Sequence, residues 1–291
     1  MKKKNSTAQR KKVKFDNKHL NDPKIKKVYL TFKKQLYSQI KNEKFCIGVS
    51  GGPDSLALAF LCKIFSKEFN SKFIALIIDH NLRKQSGIEA RKVKKILTKH
   101  KIRTKILTWK GKIPKSNIQF NARNIRYFLL NKECNKLNIK NLVLAHHEGD
   151  LIENFFIRLF RGSGLKGLSS LNIKRHSEDN ILNLIRPLIN TKKNELIYIS
   201  KKVFKFYLTD PSNFKEKFLR TRIRNYLDKF KLDGLDINKI KLTLSNLQSA
   251  NESINFYKEK SIKNYVRYLQ RNSCFVSYGL FNYESEEVIF R

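Results

Sequence analysis

The feature that most constrains this chain is a short apolar run that passes through a glycine-rich turn directly into a helical pattern. The run Phe45–Val49 is too short for a helix, which favours a buried strand. The turn that follows reads Ser50-Gly51-Gly52-Pro53-Asp54-Ser55. Apolar residues then recur at helical spacing at Leu58, Leu61, Cys62 and Phe65. The sequence therefore predicts a strand–turn–helix unit, the building block of a parallel α/β sheet.

The same alternation of strand and helix continues downstream. Further strands are predicted at Phe73–Ile78, Ile102–Trp109 and Leu142–Ala145, with helices at about Glu89–Lys101 and Ile118–Leu137. This order predicts an α/β fold, with a parallel sheet that carries helices on both faces. Leu184–Ile189 is a further candidate strand, interrupted by Pro187. Ligands of such sheets bind beyond the carboxyl ends of the strands, where the glycine-rich turn lies.

The chain changes character near residue 231, where alternation gives way to a mainly helical pattern. Phe218–Phe230 and roughly Ile237–Gln270 are predicted helices, and the short apolar runs Cys274–Tyr278 and Val288–Phe290 are predicted to pair as strands. We therefore predict three parts. These are a basic amino-terminal extension over residues 1–41, an α/β catalytic domain over 42–230 and a small, mainly helical carboxyl-terminal region over 231–291.

The charge of the chain is strongly positive, with 62 Lys and Arg residues against 24 Asp and Glu and a net charge of +38. Such a charge attracts polyanions, of which nucleic acid is the commonest in a cell, although AT-rich coding also raises the lysine content. No run approaches the ~20 apolar residues that span a bilayer, and no apolar stretch follows the first residues as a signal peptide would require. We expect a cytoplasmic protein that binds nucleic acid and no membrane.

The glycine-rich turn has the chemistry of a phosphate-binding loop. Its two glycines let backbone N–H groups approach an anion, Ser50 and Ser55 add hydroxyl donors, and the following helix contributes a partial positive charge. No Gly-Lys-Ser/Thr sequence closes the loop, so it is not of the Walker type. Asp54 would repel phosphate unless a divalent cation lay between them, which predicts Mg²⁺ bound by Asp54. The alternative is an ordinary turn that uses glycine for its geometry alone.

The hexapeptide resembles the loop of the N-type ATP pyrophosphatases, the PP-loop superfamily. That resemblance implies that ATP is cleaved between its α- and β-phosphates, which leaves an adenylated substrate and pyrophosphate. The residues that it assigns to ATP binding are Ser50, Gly51, Gly52, Pro53, Asp54, Ser55, Asp79 and His80.

Later segments resemble the tRNA(Ile)-lysidine synthetases in that family's order, from about residue 45 to residue 230. They are Ile78–Arg83 with Glu89-Ala90, Asn121–Tyr127, Ala145-His146-His147 with Asp150 and Glu153, Arg158–Leu168, Arg186-Pro187-Leu188, Asp210–Asn213 and Arg222-Ile223-Arg224. Several ordered motifs are far more specific than one loop. The sequence departs from that pattern at Gly149, where the family has an acid, and at Leu151, Asn154 and Thr221.

The resemblance implies a defined reaction. The C2 carbonyl oxygen of the wobble cytidine in tRNA(Ile) with a CAU anticodon is adenylated, and the ε-amine of free L-lysine then attacks C2 and expels AMP. The lysidine that results pairs with A instead of G, so codon reading changes from AUG to AUA. ATP and Mg²⁺ are the implied cofactors, tRNA(Ile) and free L-lysine are the implied partners, and a homodimer is compatible with this reading.

The resemblance also gives roles to individual residues. Asp54 would position Mg²⁺, Arg126 would stabilise developing phosphate charge, and Asp150 would hold the lysine ammonium or accept its proton. Asp79 and His80 would line the adenosine or metal site. The predicted catalytic residues are Asp54, Arg126, His146 and Asp150. The predicted substrate-binding residues are Asp150, Glu153, Arg158, Arg161, Gly162, Ser163, Gly164, Arg222 and Arg224.

Two other functions fit parts of the sequence. A tRNA thiolase of the same superfamily would need a cysteine pair to carry sulfur or a cluster. The four cysteines have no metal-ligand spacing and are expected to be buried thiols: Cys46, Cys62, Cys134 and Cys274. A basic RNA-binding protein with a structural nucleotide site would explain the charge alone. His146 would then be a strand-end residue, and Arg222 and Arg224 a solvated helix face.

Overall fold

The computed structural model describes residues 18–81, 85–112, 116, 118–171, 173–176, 182–209, 219–270 and 273–290. Within them the chain divides into two units. The first is formed by the residues up to His147 together with Ile173–Thr209, and the second by Glu148–Asn172 and the residues from Asp210 onward. The predicted Asp210–Asn213 motif lies outside the described residues.

Helices and strands alternate through most of the first unit, and helices predominate in the second. The helices are α1 (Pro23–Ile40), α2 (Pro53–Glu68), α3 (Ser86–Lys99), α4 (Ile118–Lys136), α5 (Glu148–Leu159), α6 (Leu165–Leu168), α7 (Lys193–Phe204), α8 (Leu219–Leu232), α9 (Ile237–Tyr265), α10 (Gly279–Tyr283) and α11 (Glu286–Ile289). The strands are β1 (Phe45–Val49), β2 (Phe73–Asp79), β3 (Thr104–Thr108), β4 (Asn141–Val143), β5 (Lys174–His176), β6 (Asn183–Ile185), β7 (Val266–Gln270) and β8 (Ser273–Val276).

A six-stranded sheet organises the first unit, with the strands in the order β3-β2-β1-β4-β6-β5. The first five of these strands pair in parallel, and β5 pairs antiparallel with β6 at one edge. The predicted parallel sheet is therefore confirmed. The candidate strand before Pro187 is β6, whereas β5 was not predicted because its sequence Lys-Arg-His has no apolar pattern.

Helices cover both faces of the sheet, as predicted. In β1, Phe45, Ile47 and Val49 point into one core, which is completed by α1, α2, α3 and α7. Cys46 points the opposite way, into a second core with Leu130 and Cys134 of α4. This alternation follows from the two-residue period of a strand, and each fully buried large apolar side chain contributes about 1.5–3 kcal/mol.

Helix α1 belongs to this core, although it lies within the predicted basic extension over residues 1–41. It begins at Pro23 behind Asp22, whose carboxylate accepts hydrogen bonds from the N–H groups of Lys24 and Ile25. Its apolar side chains Ile25 and Phe32 are completely buried in the core that contains Phe45, Ile47 and Val49 of β1.

The order of the strands places a switch point between β1 and β4. The chain runs from β1 outward through β2 to β3, and then returns to the other side of β1 to form β4. At such a point the loops after the two strands diverge and leave a crevice at their carboxyl ends. The loop Ser50–Ser55 follows β1, and residues 144–147 follow β4. These two loops define where a ligand is expected.

The second unit is mainly helical, as predicted for the carboxyl-terminal region. Helix α5 packs against α8, and α9 packs against α6 and α11. One predicted pairing is wrong: Cys274–Tyr278 does not pair with Val288–Phe290, because β8 pairs with β7 and Val288 lies in α11. The long helix ends at Tyr265, earlier than its apolar pattern indicated. Among the described residues no helix is long and apolar enough to cross a membrane.

Candidate functional site

The loop after β1 depends on a backbone conformation that only glycine adopts readily. Gly51 has φ +86°, and a Cβ atom there would lie 2.5 Å from Val93 Cγ2 and 2.8 Å from Leu208 Cδ1. The carbonyl oxygen of Gly51 accepts a hydrogen bond from the N–H of Leu208 at 2.9 Å. The loop is thus closely packed against Val93 and Leu208 at Gly51.

Ser55 holds the loop in shape from within. Its hydroxyl oxygen accepts hydrogen bonds from the N–H groups of Ser50 and Gly51, at 3.2 and 3.1 Å, and donates to the carbonyl oxygen of Gly52 at 3.0 Å. The side chain is buried. Ser55 was predicted to donate to phosphate, but its hydroxyl proton is used inside the loop. Its role in this structure is to preorganise the backbone.

The amino terminus of α2 supplies the donors that the loop itself does not. Gly52 is the N-cap residue and provides no side chain to cap the helix, and Pro53 at the first position has no N–H group. The next N–H groups, of Asp54 and Ser55, belong to the set that a helix leaves without internal partners. An anion placed there would satisfy them and would meet the positive end of the helix dipole.

Asp54 stands at this position with two basic groups beside it. Its Oδ2 lies 3.6 Å from Lys193 Nζ and 3.8 Å from His147 Nε2. Its Oδ1 is buried and has no hydrogen-bond partner among the described residues. Such an oxygen is suited to bind a cation. No cluster of three or more His, Cys, Asp or Glu suited to a metal occurs in the described ranges. Asp54 would be the residue that holds Mg²⁺ at this loop.

Helix α7 is hydrogen-bonded to the loop, a contact that the sequence did not indicate. Ser200 Oγ donates a hydrogen bond to the carbonyl oxygen of Pro53 at 2.5 Å, and Ser200 is completely buried. Lys193 was not predicted either, and His147 was named only as part of the Ala145-His146-His147 motif, with His146 chosen as the site residue. The switch-point rule would have located His147, because it follows β4, but nothing in the sequence near residue 193 indicates contact with Asp54.

The end of β2 carries two of the predicted nucleotide ligands. The Oδ1 atom of Asp79 accepts hydrogen bonds from Asn81 N at 2.9 Å and from Ser86 Oγ at 2.7 Å. Burial lowers the pKa of His80 to about 4, and the positive charge of Arg126 adds to this effect. His80 therefore presents a neutral imidazole near neutral pH, and its Nδ1 has no hydrogen-bond partner in the described part of the chain.

The two remaining candidates of the first unit lie on separate elements. Arg126 is exposed on α4, near enough to His80 to affect its pKa. His146 follows β4 and is partly buried, and it is the next residue, His147, that lies beside Asp54. The remaining predicted site residues, from Asp150 to Arg224, belong to the second unit.

Within the second unit, two predicted substrate ligands bind each other. Arg224 donates from Nε to Glu153 Oε1 at 2.5 Å and from a terminal nitrogen to Oε2 at 3.1 Å. Glu153 is buried on α5, and Arg224 reaches it from α8. Arg222, one residue before the buried Ile223, is exposed. The Glu153–Arg224 pair thus connects two helices, and Arg222 faces solvent.

Loss of Arg224 is expected to destabilise this unit. In Arg224→Met the buried Glu153 carboxylate loses both hydrogen bonds from the guanidinium, at a cost of about 1.5–3 kcal/mol in the free energy of unfolding. Arg222→Met removes the same charge from an exposed position and is expected to change stability by less than about 0.5 kcal/mol. Urea unfolding of both variants measures the difference. Equal midpoints would show that the ion pair contributes nothing to the fold.

The two glycines of the Gly162-Ser163-Gly164 segment differ in backbone conformation, so the reason for glycine differs between them. Gly162 has φ +65° and ends α5, where Ser163 N–H donates to Arg158 O and Gly162 N–H donates to Leu159 O, both at 3.0 Å. Gly164 has an ordinary φ of −68°, and a Cβ atom there would meet nothing within 4 Å. The fold therefore explains Gly162 and leaves Gly164 available for close approach of a ligand. Arg161 is exposed beside them, while Arg158 is half-buried.

Asp150 lies in the first turn of α5, partly buried, next to the departure at Gly149. Its neighbour Glu148 is buried, and the Oε2 atom of Glu148 lies 3.4 Å from Lys241 Nζ of α9. Two acids therefore remain in this turn, one of which is already paired with a lysine. The role of Asp150 toward an amine stays a prediction.

Two of the four cysteines meet in the fold, which their spacing in the sequence did not indicate. Cys46 of β1 is hydrogen-bonded to Cys134 of α4, and this bond together with burial raises the pKa of Cys46. Both thiols are completely buried, and burial also raises the pKa of Cys62. These are inert core thiols, as predicted, whereas Cys274 is exposed.

A profile of the PP-loop domain family matches residues 25–230 of this chain. The protein therefore belongs to the PP-loop family, in agreement with the loop geometry above. It is 43% identical over 188 residues to the tRNA(Ile)-lysidine synthase of Orientia tsutsugamushi (strain Boryong), a match that covers 64% of this chain and 42% of that protein. It is 32% identical over 224 residues to the tRNA(Ile)-lysidine synthase of Bradyrhizobium diazoefficiens, which covers 76% of this chain and 62% of that one.

The chain spans less than half the length of the Orientia relative and less than two thirds of the Bradyrhizobium relative. Among solved structures it is similar to a U34-tRNA thiolase from Methanococcus maripaludis, with a TM-score of 0.66 and 20% identity, over 79% of each chain. At this identity the similarity is one of fold.

Proposed function

We propose that this protein ligates L-lysine to C2 of the wobble cytidine of tRNA(Ile) with a CAU anticodon, at the expense of ATP, which is converted to AMP and pyrophosphate. The product is lysidine, and the tRNA then reads AUA instead of AUG. The proposal rests on the phosphate-binding geometry at the start of α2 and on relatives named tRNA(Ile)-lysidine synthase that are 32–43% identical. The proposed partners are the tRNA, free lysine and a second copy of the chain, and the proposed location is the cytoplasm.

The first step is adenylation of the tRNA. The C2 carbonyl oxygen of the cytidine forms a bond to the α-phosphorus of ATP as the bond to the leaving pyrophosphate breaks. The residues that would hold the nucleotide are those of the Ser50–Ser55 loop, with the N–H groups at the start of α2 directed toward an anion. Arg126 is proposed to stabilise phosphate charge, and the neutral imidazole of His80 to offer Nδ1 to the nucleoside.

Asp54 would hold Mg²⁺ through the carboxylate oxygen that has no donor in the described structure. The ion supplies charge neutralisation on the phosphates when it is bound. The chain itself contributes the position of that carboxylate, which is fixed by the first turn of α2 and by the nearby basic groups of Lys193 and His147.

The second step transfers lysine. The ε-amine attacks C2, the bond between C2 and the adenylate oxygen breaks, and AMP leaves with that oxygen. The ammonium must first lose a proton, and Asp150 is the proposed acceptor, with His146 as a second candidate. The exposed cations Arg161 and Arg222 and the open backbone at Gly164 support contact with the tRNA phosphates. The roles proposed for Glu153, Arg158 and Arg224 are to position these elements.

Lysine incorporation tests the proposal directly. The protein, ATP, radiolabelled lysine and a tRNA(Ile) transcript with CAU are expected to give label in RNA, with one pyrophosphate released per lysine. A transcript with uridine at the wobble position is the matched control and should take up no label. Absence of label from the CAU transcript, with the same preparation binding ATP, would refute lysidine synthesis.

The rival thiolase function makes a different prediction from the same experiment. It requires sulfur incorporation, whereas three of the four cysteines are buried, and no metal-binding cluster of three is found among the described residues. The similarity to the archaeal thiolase is limited to the fold. Sulfur without lysine in the RNA would favour that rival.

A further inference from the structure

A lysine from a distant part of the chain lies beside the nucleotide loop. The loop itself contains no lysine, yet Lys193 Nζ lies 3.6 Å from Asp54 Oδ2. Half of the Lys193 side chain is exposed. Its ammonium group is therefore hydrated and can turn toward a ligand without breaking a buried contact.

Lys193 occupies a position that is unfavourable for its own helix. It is the first residue of α7, and Lys192 before it is the N-cap. Positive charge at a helix amino terminus opposes the helix dipole, whereas the one acid of the first turn, Glu195, favours it. A residue that lowers local stability and lies against a ligand loop is more readily explained by a role in binding.

The other groups at this site define what Lys193 would bind. Asp54 contributes negative charge to a loop that is proposed to hold a nucleoside triphosphate. A cation on Asp54 would repel the lysine ammonium, while the phosphates would attract it. The β- and γ-phosphates carry most of the charge of ATP and leave together as pyrophosphate, so they attract the ammonium more strongly than the α-phosphate does.

We propose that Lys193 binds the β- and γ-phosphates of the nucleotide and so supplies, from α7, the positive charge that Walker-type loops take from their own lysine. This inference rests on the proposed function, because it requires a nucleoside triphosphate in the Ser50–Ser55 loop. It assigns to the first turn of α7 a part in retaining the leaving pyrophosphate.

Equilibrium binding separates this role from a structural one. Dissociation constants for ATP, AMP and inorganic pyrophosphate would be measured by calorimetry. Lys193→Met is expected to weaken ATP and pyrophosphate binding by about 10- to 100-fold, the value of a charged hydrogen bond. AMP binding should change by less than about twofold, since AMP lacks the contacted groups. Lys193→Arg should retain most of the affinity.

Lys192→Met is the matched control, because it removes the same charge one residue away, where no contact with Asp54 is observed. It is expected to alter ATP binding by less than about twofold. Thermal unfolding of each variant tests whether its fold is intact. If both lysine variants weaken binding equally, net charge is responsible and the inference is wrong.

A second background distinguishes phosphate binding from simple shielding of Asp54. In Asp54→Asn the lysine has no carboxylate to neutralise, so a shielding role predicts that Lys193→Met has no further effect. A direct contact predicts that pyrophosphate affinity still falls, by about the same 10-fold or more. Loss of the effect in this background would overturn the inference. If the wild-type protein binds neither ATP nor pyrophosphate, the proposed function fails at the nucleotide site itself.

Discussion

Asp54→Asn is expected to lower the rate of pyrophosphate release by about 100- to 1,000-fold, while tRNA affinity stays within about twofold of the wild type. Asparagine has the same shape but cannot offer the charged oxygen that is buried and lacks a hydrogen-bond donor in the described structure. A single-turnover assay of labelled ATP measures the rate, and filter binding measures the tRNA affinity. The Mg²⁺ concentration needed for half-maximal rate should rise in the variant.

Asp228→Asn is a suitable control for this substitution. Asp228 is an exposed acid on α8 whose carboxylate pairs with Lys231, three residues along the same helix. Its replacement makes the same change in net charge and should leave the rate within about twofold, since surface pairs of this kind contribute little. A normal rate in Asp54→Asn would contradict the proposed role of Asp54 in binding Mg²⁺, whatever the control showed.

Gly51→Ala is expected to lower the free energy of unfolding by about 2–4 kcal/mol and to abolish nucleotide binding. Its φ of +86° is unfavourable for alanine, and the new methyl group would overlap Val93 and Leu208. Urea unfolding gives the stability, and calorimetric titration with ATP gives the affinity. A variant as stable as the wild type would show that the loop is more tolerant than its packing indicates.

Gly52→Ala tests whether glycine is needed in this loop for access of the ligand, as distinct from the backbone conformation that Gly51 provides. Gly52 has φ −69°, and a Cβ atom there would lie 3.6 Å from Ser50 Oγ, an ordinary contact. The change in stability should be within about 0.5 kcal/mol. ATP affinity should nevertheless fall, because the methyl group would occupy space at the uncapped start of α2. Unchanged affinity would place the phosphates elsewhere on the loop.

Periodicity predicted the sheet and the position of the loop because both depend on local sequence. The alternation of Phe45, Ile47 and Val49 with Cys46 requires a strand buried on both faces, and the glycines require a turn. The PP-loop domain match over residues 25–230 agrees with the superfamily that the loop sequence indicated.

The partners of the predicted residues could not be predicted, because they arise from tertiary contacts. Asp79, predicted to line the nucleotide or metal site, accepts hydrogen bonds through Oδ1 from Asn81 and Ser86. Glu153 and Arg224, both predicted to bind substrate, bind each other across two helices. A sequence pattern records that a charged residue is present, and the fold decides whether its charge is already used.

The contacts between α7 and the nucleotide loop also bear on the order in which the site is completed during synthesis. The strand and helix that flank the loop leave the ribosome before α7 does. Ser200, which donates to Pro53, and Leu208, which donates to Gly51, emerge only after about 150 further residues. A nascent chain whose Leu208 is still inside the ribosome would lack the hydrogen bond from Leu208 N–H to Gly51 O. The capacity to bind ATP should therefore arise only once Leu208 has emerged, after the strands of the sheet have already been made.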